Sequence, residues 1–256
     1  MDVSLGVLSL LILAAAFAGL IDSIAGGGGL IQLPSLLVAL PNTQTSVILG
    51  TNKLSASLGT ASATFTYLRK LRPDYKIAVL MAAPAFLGSA LGARVATLIP
   101  KEAFRPIILI ALLVVFTYTF RRKDLGLQDT KTEKSKFRKT KAVFFGTLIG
   151  FYDGIFGPGT GSFLMVVLVA VLGYAFLEAT VTTKIVNLST NVGALLVFGF
   201  SGEIIWKLGI CMAFGNVVGG LVGARLALKG GSSLVRNVFL IATSLLILRL
   251  AFDTFL

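Results

Sequence analysis

Four ionisable residues fall where charge is costly and therefore informative. Asp22 and Lys53 recur as Asp153 and Lys184 at a constant spacing of 131 residues, each in or beside a long apolar stretch. Lys53 begins roughly eight residues into the run 46–68, so at about 1.5 Å per residue its backbone sits about 12 Å inside a hydrocarbon core about 30 Å thick. Lys184 is similarly placed in the run 180–200. An ammonium at that depth needs a partner or water, which makes each lysine a candidate binding residue; the bland reading is a stem that snorkels back to the interface. Polar neighbours favour the first reading, with Thr51, Asn52, Ser55 and Ser57 around one lysine and Thr182, Thr183, Asn187, Ser189, Thr190 and Asn191 around the other. Hydroxyls and amides of this kind donate to oxyanions.

Each aspartate precedes a glycine-rich break, Gly26-Gly27-Gly28-Gly29 in one case and Gly157-Pro158-Gly159-Thr160-Gly161 in the other. Four successive glycines cost a helix roughly 1 kcal/mol each relative to alanine, and Pro158 removes a backbone donor, so continuous helix is not expected at either place. Short apolar segments follow, 30–40 and 162–172, each about half a membrane span. Their N-termini would present free N–H groups and the positive end of a helix dipole to an anion. The competing explanation is that these glycines only permit close helix packing, as Gly88-x-x-x-Gly92 and Gly215-x-x-x-Gly219-x-x-x-Gly223 are expected to do. Asp22 and Asp153 could take up a coupling proton, hold Na⁺, or simply cap orphan backbone donors. Arg94 and Arg225 close matching apolar blocks and read as interfacial anchors.

The elements that must carry these residues are membrane spans. Apolar residues make up 55% of the chain and charged ones only 13%, with a mean hydropathy of +0.91, more apolar surface than one soluble domain can bury. Eight apolar blocks are visible, at 5–21, 46–68, 77–98, 104–120, 143–156, 180–200, 208–228 and 234–252. No length remains for a soluble catalytic domain. The net charge of +12 is concentrated, because nine of the 23 Lys and Arg lie within 121–141. That run lacks the interleaved aromatics of a nucleic-acid surface and reads as a cytoplasmic connector, neighbouring anionic lipid headgroups; no nucleic-acid partner is expected. With no histidine and one cysteine, Cys211, a histidine relay, an internal disulfide and a cysteine or histidine metal site are excluded; no metal or cofactor is expected. Asp2 stands where a signal peptide carries positive charge, so the N-terminal block is expected to be retained.

The 131-residue offset extends beyond the four charges. It matches Lys76 with Lys207, Met81 with Met212, Gly88 with Gly219, Gly92-Ala93-Arg94 with Gly223-Ala224-Arg225, and Arg105 with Arg236. Repeated matches of charged residues at one offset mark an internal duplication. The expected fold is an all-α polytopic membrane protein of about eight transmembrane segments. They form two four-segment repeats, 1–120 and 142–256, joined by the basic linker 121–141, with the first segment of each repeat broken at its glycines. If residues 4–40 form a hairpin the repeats are inverted, and if they cross once net the repeats are parallel; loop charges favour the inverted scheme, which also brings Lys229 and Arg236 inside.

These motifs resemble the TauE/SafE family of membrane proteins. The resemblance rests on Gly19-Leu-Ile-Asp22-Ser-Ile-Ala-Gly-Gly-Gly-Gly29, Gly50-Thr-Asn-Lys53, Gly150-Phe-Tyr-Asp153-Gly-Ile-Phe-Gly-Pro-Gly-Thr-Gly161 and Thr183-Lys184-Ile-Val-Asn187-Leu-Ser-Thr-Asn191, in that order over nearly the whole chain. It implies a multi-pass inner-membrane transporter associated with sulfite, sulfonates or other organosulfur anions. Together the residues suggest a secondary transporter for a small anion. Its substrate site would be Gly26, Gly27, Gly28, Gly29, Asn52, Lys53, Gly157, Gly159, Thr160, Gly161, Lys184, Asn187 and Asn191, with H⁺ or Na⁺ coupled through Asp22 or Asp153. A passive anion channel is the alternative. A homo-oligomer is compatible with either. An intramembrane enzyme using the two aspartates has no histidine, no useful cysteine and no nucleophile motif to support it.

Overall fold

The computed structural model describes residues 4–96, 113, 117, 120, 121, 126–128 and 136–255. The apolar block 104–120 and the linker 121–141 fall largely outside these residues, as do Lys101 and Arg105. Within the described residues all regular structure is helical: α1 (Leu5–Ala25), α2 (Gly29–Ala39), α3 (Thr45–Leu68), α4 (Tyr75–Ala96), α5 (Lys136–Ile155), α6 (Thr160–Val166, running on through a wide turn at Val167–Val171), α7 (Phe176–Phe200) and α8 (Trp206–Phe255). Helix α8 is broken at Gly231, whose φ of 64° and ψ of −165° are non-helical, so the apolar blocks before and after it are separate segments.

Among the described residues, four helices are long and apolar enough to cross a membrane: α1, α4, α7 and the run of α8 from Trp206 to Leu245, the last interrupted at Gly231. Helix α3 has 24 residues, but its polar run lowers its hydropathy and lies buried from Thr51 to Ser55. The outward faces are apolar, with Leu10, Leu13 and Phe17 of α1, Leu87 and Leu91 of α4 and Phe214 of α8 all exposed. A surface of that kind is solvated by lipid.

Small residues set which helices lie side by side. On α8, Gly215, Gly219 and Gly223 sit against the backbones of Ile12, Ala16 and Leu20 in the same order along α1, so the two helices run parallel in contact; a Cβ on Gly219 would run into the Ala16 carbonyl oxygen. Helices α4 and α5 repeat the arrangement, with Gly146 against Met81, Gly150 against Ala85 and Gly154 against Ser89. The glycines expected to serve packing do so.

Polar contacts identify one end of the bundle. Arg138 at the start of α5 pairs with Asp74 before α4 at 3.3 Å, and the Tyr174 hydroxyl, between α6 and α7, donates to the same carboxylate at 3.2 Å. The Leu177 amide donates to Ser232 Oγ beside the break in α8 at 3.1 Å. Helix α5 therefore starts, and α6 finishes, at this end. Helix α3 also finishes here, so α2, which feeds its start, finishes at the opposite end. Because α1 runs parallel to the first part of α8, which descends towards Ser232, α1 starts at that opposite end as well. The two broken helix pairs enter from opposite ends and each returns to the end it came from.

Between those ends the interior is layered. One apolar cluster, including Tyr67, Met81, Leu168, Phe176 and Phe239, fills the Asp74 end. A second, including Leu33, Leu36, Ile48, Ala96, Phe198 and Leu208, fills the other. Polar side chains occupy the layer between them.

Candidate site between two broken helix pairs

Each break has its own local cause. Helix α1 stops because Gly26 adopts a left-handed conformation (φ 79°), its N–H closing the helix on the Asp22 carbonyl. Beyond α5, Gly157 (φ 82°) and Gly159 (φ 83°) bracket Pro158, and α6 starts at Thr160. These conformations suit glycine, and so does the space around them. A Cβ on Gly26 would overlap the Gly161 backbone, and one on Gly161 would overlap Gly26. The breaks are joined directly: the Ser162 amide donates to the Gly26 carbonyl at 3.0 Å and the Ser162 hydroxyl to the Ala25 carbonyl at 3.2 Å. Non-helical backbone deep in a membrane protein must find partners in protein or line a cavity, and here it does both.

The two lysines meet the two aspartates across the molecule. Lys53 Nζ lies 2.5 Å from Asp153 Oδ2 and donates to Asn191 Oδ1 at 3.2 Å. Lys184 Nζ lies 2.7 Å from Asp22 Oδ2. Side-chain exposure is 3% for Lys53, 1% for Asp153 and 0% for Lys184, which excludes snorkelling; Asp22 keeps 20%. Each lysine is anchored on a long helix, α3 or α7, and reaches the carboxylate at the end of a broken one. Both ammoniums have an ionic partner, so the two pairs are together electrically neutral. Charge-assisted hydrogen bonds of this length are strong, and the cost of leaving either member alone in the interior is large.

These groups surround an internal cavity of about 30 Å³. That is the scale of one water molecule, too small for an oxyanion in this conformation. Both breaks contribute to its wall through Gly26, Gly28, Gly29, Gly157, Gly159, Thr160 and Gly161. The side chains of Asp22, Asn52, Lys53, Asp153, Asn187 and Asn191 complete the set expected from sequence. Gly27 and Lys184 are outside the wall: the Gly27 carbonyl accepts from the Leu30 amide at 3.1 Å, and Lys184 stands behind Asp22. Asn52 Oδ1 is buried with no hydrogen-bond partner. Arg225 is exposed, as an anchor would be. Among the described residues no group of three or more His, Cys, Asp and Glu side chains comes together to hold a metal.

Sequence reasoning missed Gln32, Thr60 and Asn216, which also line the cavity. Gln32 is 1% exposed and Asn216 5%, and the Asn216 amide donates to Gln32 Oε1 at 2.5 Å. Their signal was present but faint: a lone amide in each of two apolar blocks, 30–40 and 208–228, matched by nothing at the 131-residue offset.

A bundle of apolar helices whose interrupted members meet at a charged, neutralised cavity is the arrangement expected of a membrane transporter. Residues 11–250 match the family model "Sulfite exporter TauE/SafE". A probable membrane transporter protein, ORF9, of Sinorhizobium is 40% identical over 98% of this chain and 95% of its own length. Probable membrane transporter proteins of Haemophilus influenzae and of Escherichia coli K12, the latter YfcA, are 33% and 34% identical over 99% and 96% of this chain, and over 98% and 90% of their own lengths. No solved structure matches the chain significantly. The chain belongs to the TauE/SafE family and is a multi-pass membrane protein of the transporter class rather than an enzyme.

Proposed function

We propose that this chain is an inner-membrane secondary transporter that carries a small anion, such as sulfite, a sulfonate or another organosulfur anion, by alternating access. The observation that carries the proposal is the reciprocal pairing of Lys53 with Asp153 and of Lys184 with Asp22 at one small cavity. An anion entering the cavity competes with Asp153 for the Lys53 ammonium. The displaced carboxylate would then be a buried charge without a partner, which costs several kcal/mol. A proton or Na⁺ taken up by Asp153 or Asp22 removes that cost, so anion and cation favour each other's binding. Coupling follows from charge balance among buried groups. The apolar clusters at either end would act as the gates, each loosening in turn.

We further infer that the eight segments form two inverted four-segment repeats, 1–120 and 142–256, joined by the basic linker 121–141 on the cytoplasmic side. Support comes from the broken pairs returning to opposite ends and from Arg69, Lys70 and Arg72 lying at the same end as Arg138. A passive anion channel is the other reading. The apolar packing at both ends of the bundle favours a carrier. Counterflow in proteoliposomes separates the two: acceleration of labelled anion uptake by unlabelled anion inside the vesicle is expected, and single-channel currents without acceleration would overturn the carrier.

A further inference from the structure

The two halves of the site differ, and the difference has chemical content. At the 131-residue offset, Gln32 is answered by Phe163, Ser55 by Val186 and Asn216 by Ala85. At these three positions the flank formed by α2, α3 and α8 is polar where its counterpart is apolar, while the asymmetry runs the other way on α7, whose Asn187 and Asn191 answer Ala56 and Thr60 of α3. Lys53 and Asn216 belong to the wall, whereas their counterparts Lys184 and Ala85 do not.

On the polar flank, Asn216 is held in one position. Its Nδ2 donates to Gln32 Oε1 at 2.5 Å and to Ser55 Oγ at 3.4 Å. Room for it is made on two neighbouring helices, since a Cβ on Gly59 of α3 would run into Asn216 Oδ1 and one on Gly19 of α1 would overlap the Asn216 carbonyl. This contact occupies the Gln32 carbonyl oxygen and leaves its amide nitrogen, Nε2, buried with no hydrogen-bond partner. A buried N–H without an acceptor is unfavourable unless something that visits the site accepts from it. Gln32 lines the cavity, is 1% exposed, and stands on the first turn of α2, where the helix dipole also favours negative charge.

We propose that Gln32 is an anion-recognising residue, its Nε2 donating to an oxygen of the bound oxyanion whose charge is met by Lys53, and that Asn216 is the positioning residue that turns this donor into the cavity. The inference rests on the anion-transporter reading above and refines it. The anion is held off centre, towards α2, α3 and α8, and it carries at least two oxygens so that Lys53 and Gln32 are engaged together. Lys184 serves to hold Asp22 rather than to touch the anion. Ligands with one accepting atom, such as halides, lose the Gln32 contact and are discriminated against.

The test is the concentration dependence of uptake into proteoliposomes, using radiolabelled sulfite with sulfate, thiosulfate and methanesulfonate as further probes. Gln32→Met keeps the side-chain length and removes the donor; it is expected to raise KM roughly 10-fold or more, the worth of a hydrogen bond to a charged group. Gln32→Glu, which replaces the donor with a carboxylate, raises KM at least as far. Asn216→Ala gives a smaller rise, and Asn216→Ala added to Gln32→Met gives no further rise, because the asparagine acts through the glutamine. KM does not depend on how much protein is inserted, so a purely structural role for Gln32 would lower the maximal rate and leave KM alone. Saturable uptake by the wild type with an unchanged KM in Gln32→Met and Gln32→Glu overturns this inference and leaves the transporter reading standing. Absence of saturable uptake of every probe by the wild type overturns both.

Discussion

Removing Lys53 alone should destabilise the protein, and removing Asp153 with it should restore most of the loss. In Lys53→Met the Asp153 carboxylate, 1% exposed, loses the ammonium 2.5 Å away and stays in the interior. Breaking a buried pair from one side costs about 3–5 kcal/mol, and at about 2–4 °C per kcal/mol for a chain of this size the melting temperature falls by about 6–20 °C. In Lys53→Met/Asp153→Leu the orphaned charge is gone, and replacing a whole buried pair by apolar side chains is near neutral, so most of the loss returns. Size-exclusion profiles of detergent-solubilised protein after graded heating measure both. Uptake should separate from stability, because neither variant retains the cation that meets the anion. Equal melting temperatures for the single and double variants would refute the claim that this pair is buried and mutually dependent, and full uptake by the stable double variant would refute its place in the site.

Gly26→Ala places a Cβ at a φ of 79° and against the Gly161 backbone, so folded protein should fall sharply, by about 1–3 kcal/mol from the backbone conformation alone; equal yields of monodisperse wild type and variant would contradict the contact between the breaks. Gly219→Leu drives a side chain into the α1 backbone at Ala16 and should cost about 1–3 kcal/mol or more of overpacking, read as a lower melting temperature, whereas Gly202→Ala, with open space around it, should cost only its backbone strain. In a background lacking Cys211, cysteines at Asn42 and Ser232 should label from opposite sides of the membrane, Asn42 outside and Ser232 inside; labelling of both from outside would return the repeats to a parallel arrangement. Asp153→Asn should leave Lys53 free to bind an anion but abolish stimulation of uptake by whichever cation gradient drives the wild type, and retained stimulation would move the coupling to Asp22.

Much of the site is readable in the chain because membranes make polarity conspicuous. A lysine or aspartate inside an apolar run has few harmless explanations, and a run of glycines ending in a half-length segment has fewer, so 13 of the 15 residues singled out from sequence line the cavity. The partners were not readable. Lys53 lies 31 residues from Asp22 and 100 from Asp153, yet it pairs with the distant one, since the pairing depends on how the broken helix pairs cross and not on proximity along the chain. Depth within the site was equally hidden: Lys53 and Lys184 look alike in sequence, but one lines the cavity and the other stands behind a carboxylate. Gln32 and Asn216 escaped because an uncharged amide in an apolar block is a weak signal, and because neither has a polar counterpart in the other repeat. Helix α3 illustrates the reverse risk. Its buried polar run, the best marker of the site, is the feature that keeps its hydropathy low.

Anion flux is expected to run through the cavity lined by Lys53 and to be driven by a cation gradient. The most direct test is uptake of radiolabelled sulfite and a panel of sulfonates into proteoliposomes with and without an imposed proton or sodium gradient, comparing the wild type with Lys53→Ala/Lys184→Ala. The expected result is saturable uptake of at least one anion by the wild type, stimulated by one gradient and lost in the double variant despite its insertion in the membrane. Undiminished, gradient-driven anion flux in the double variant would contradict the account.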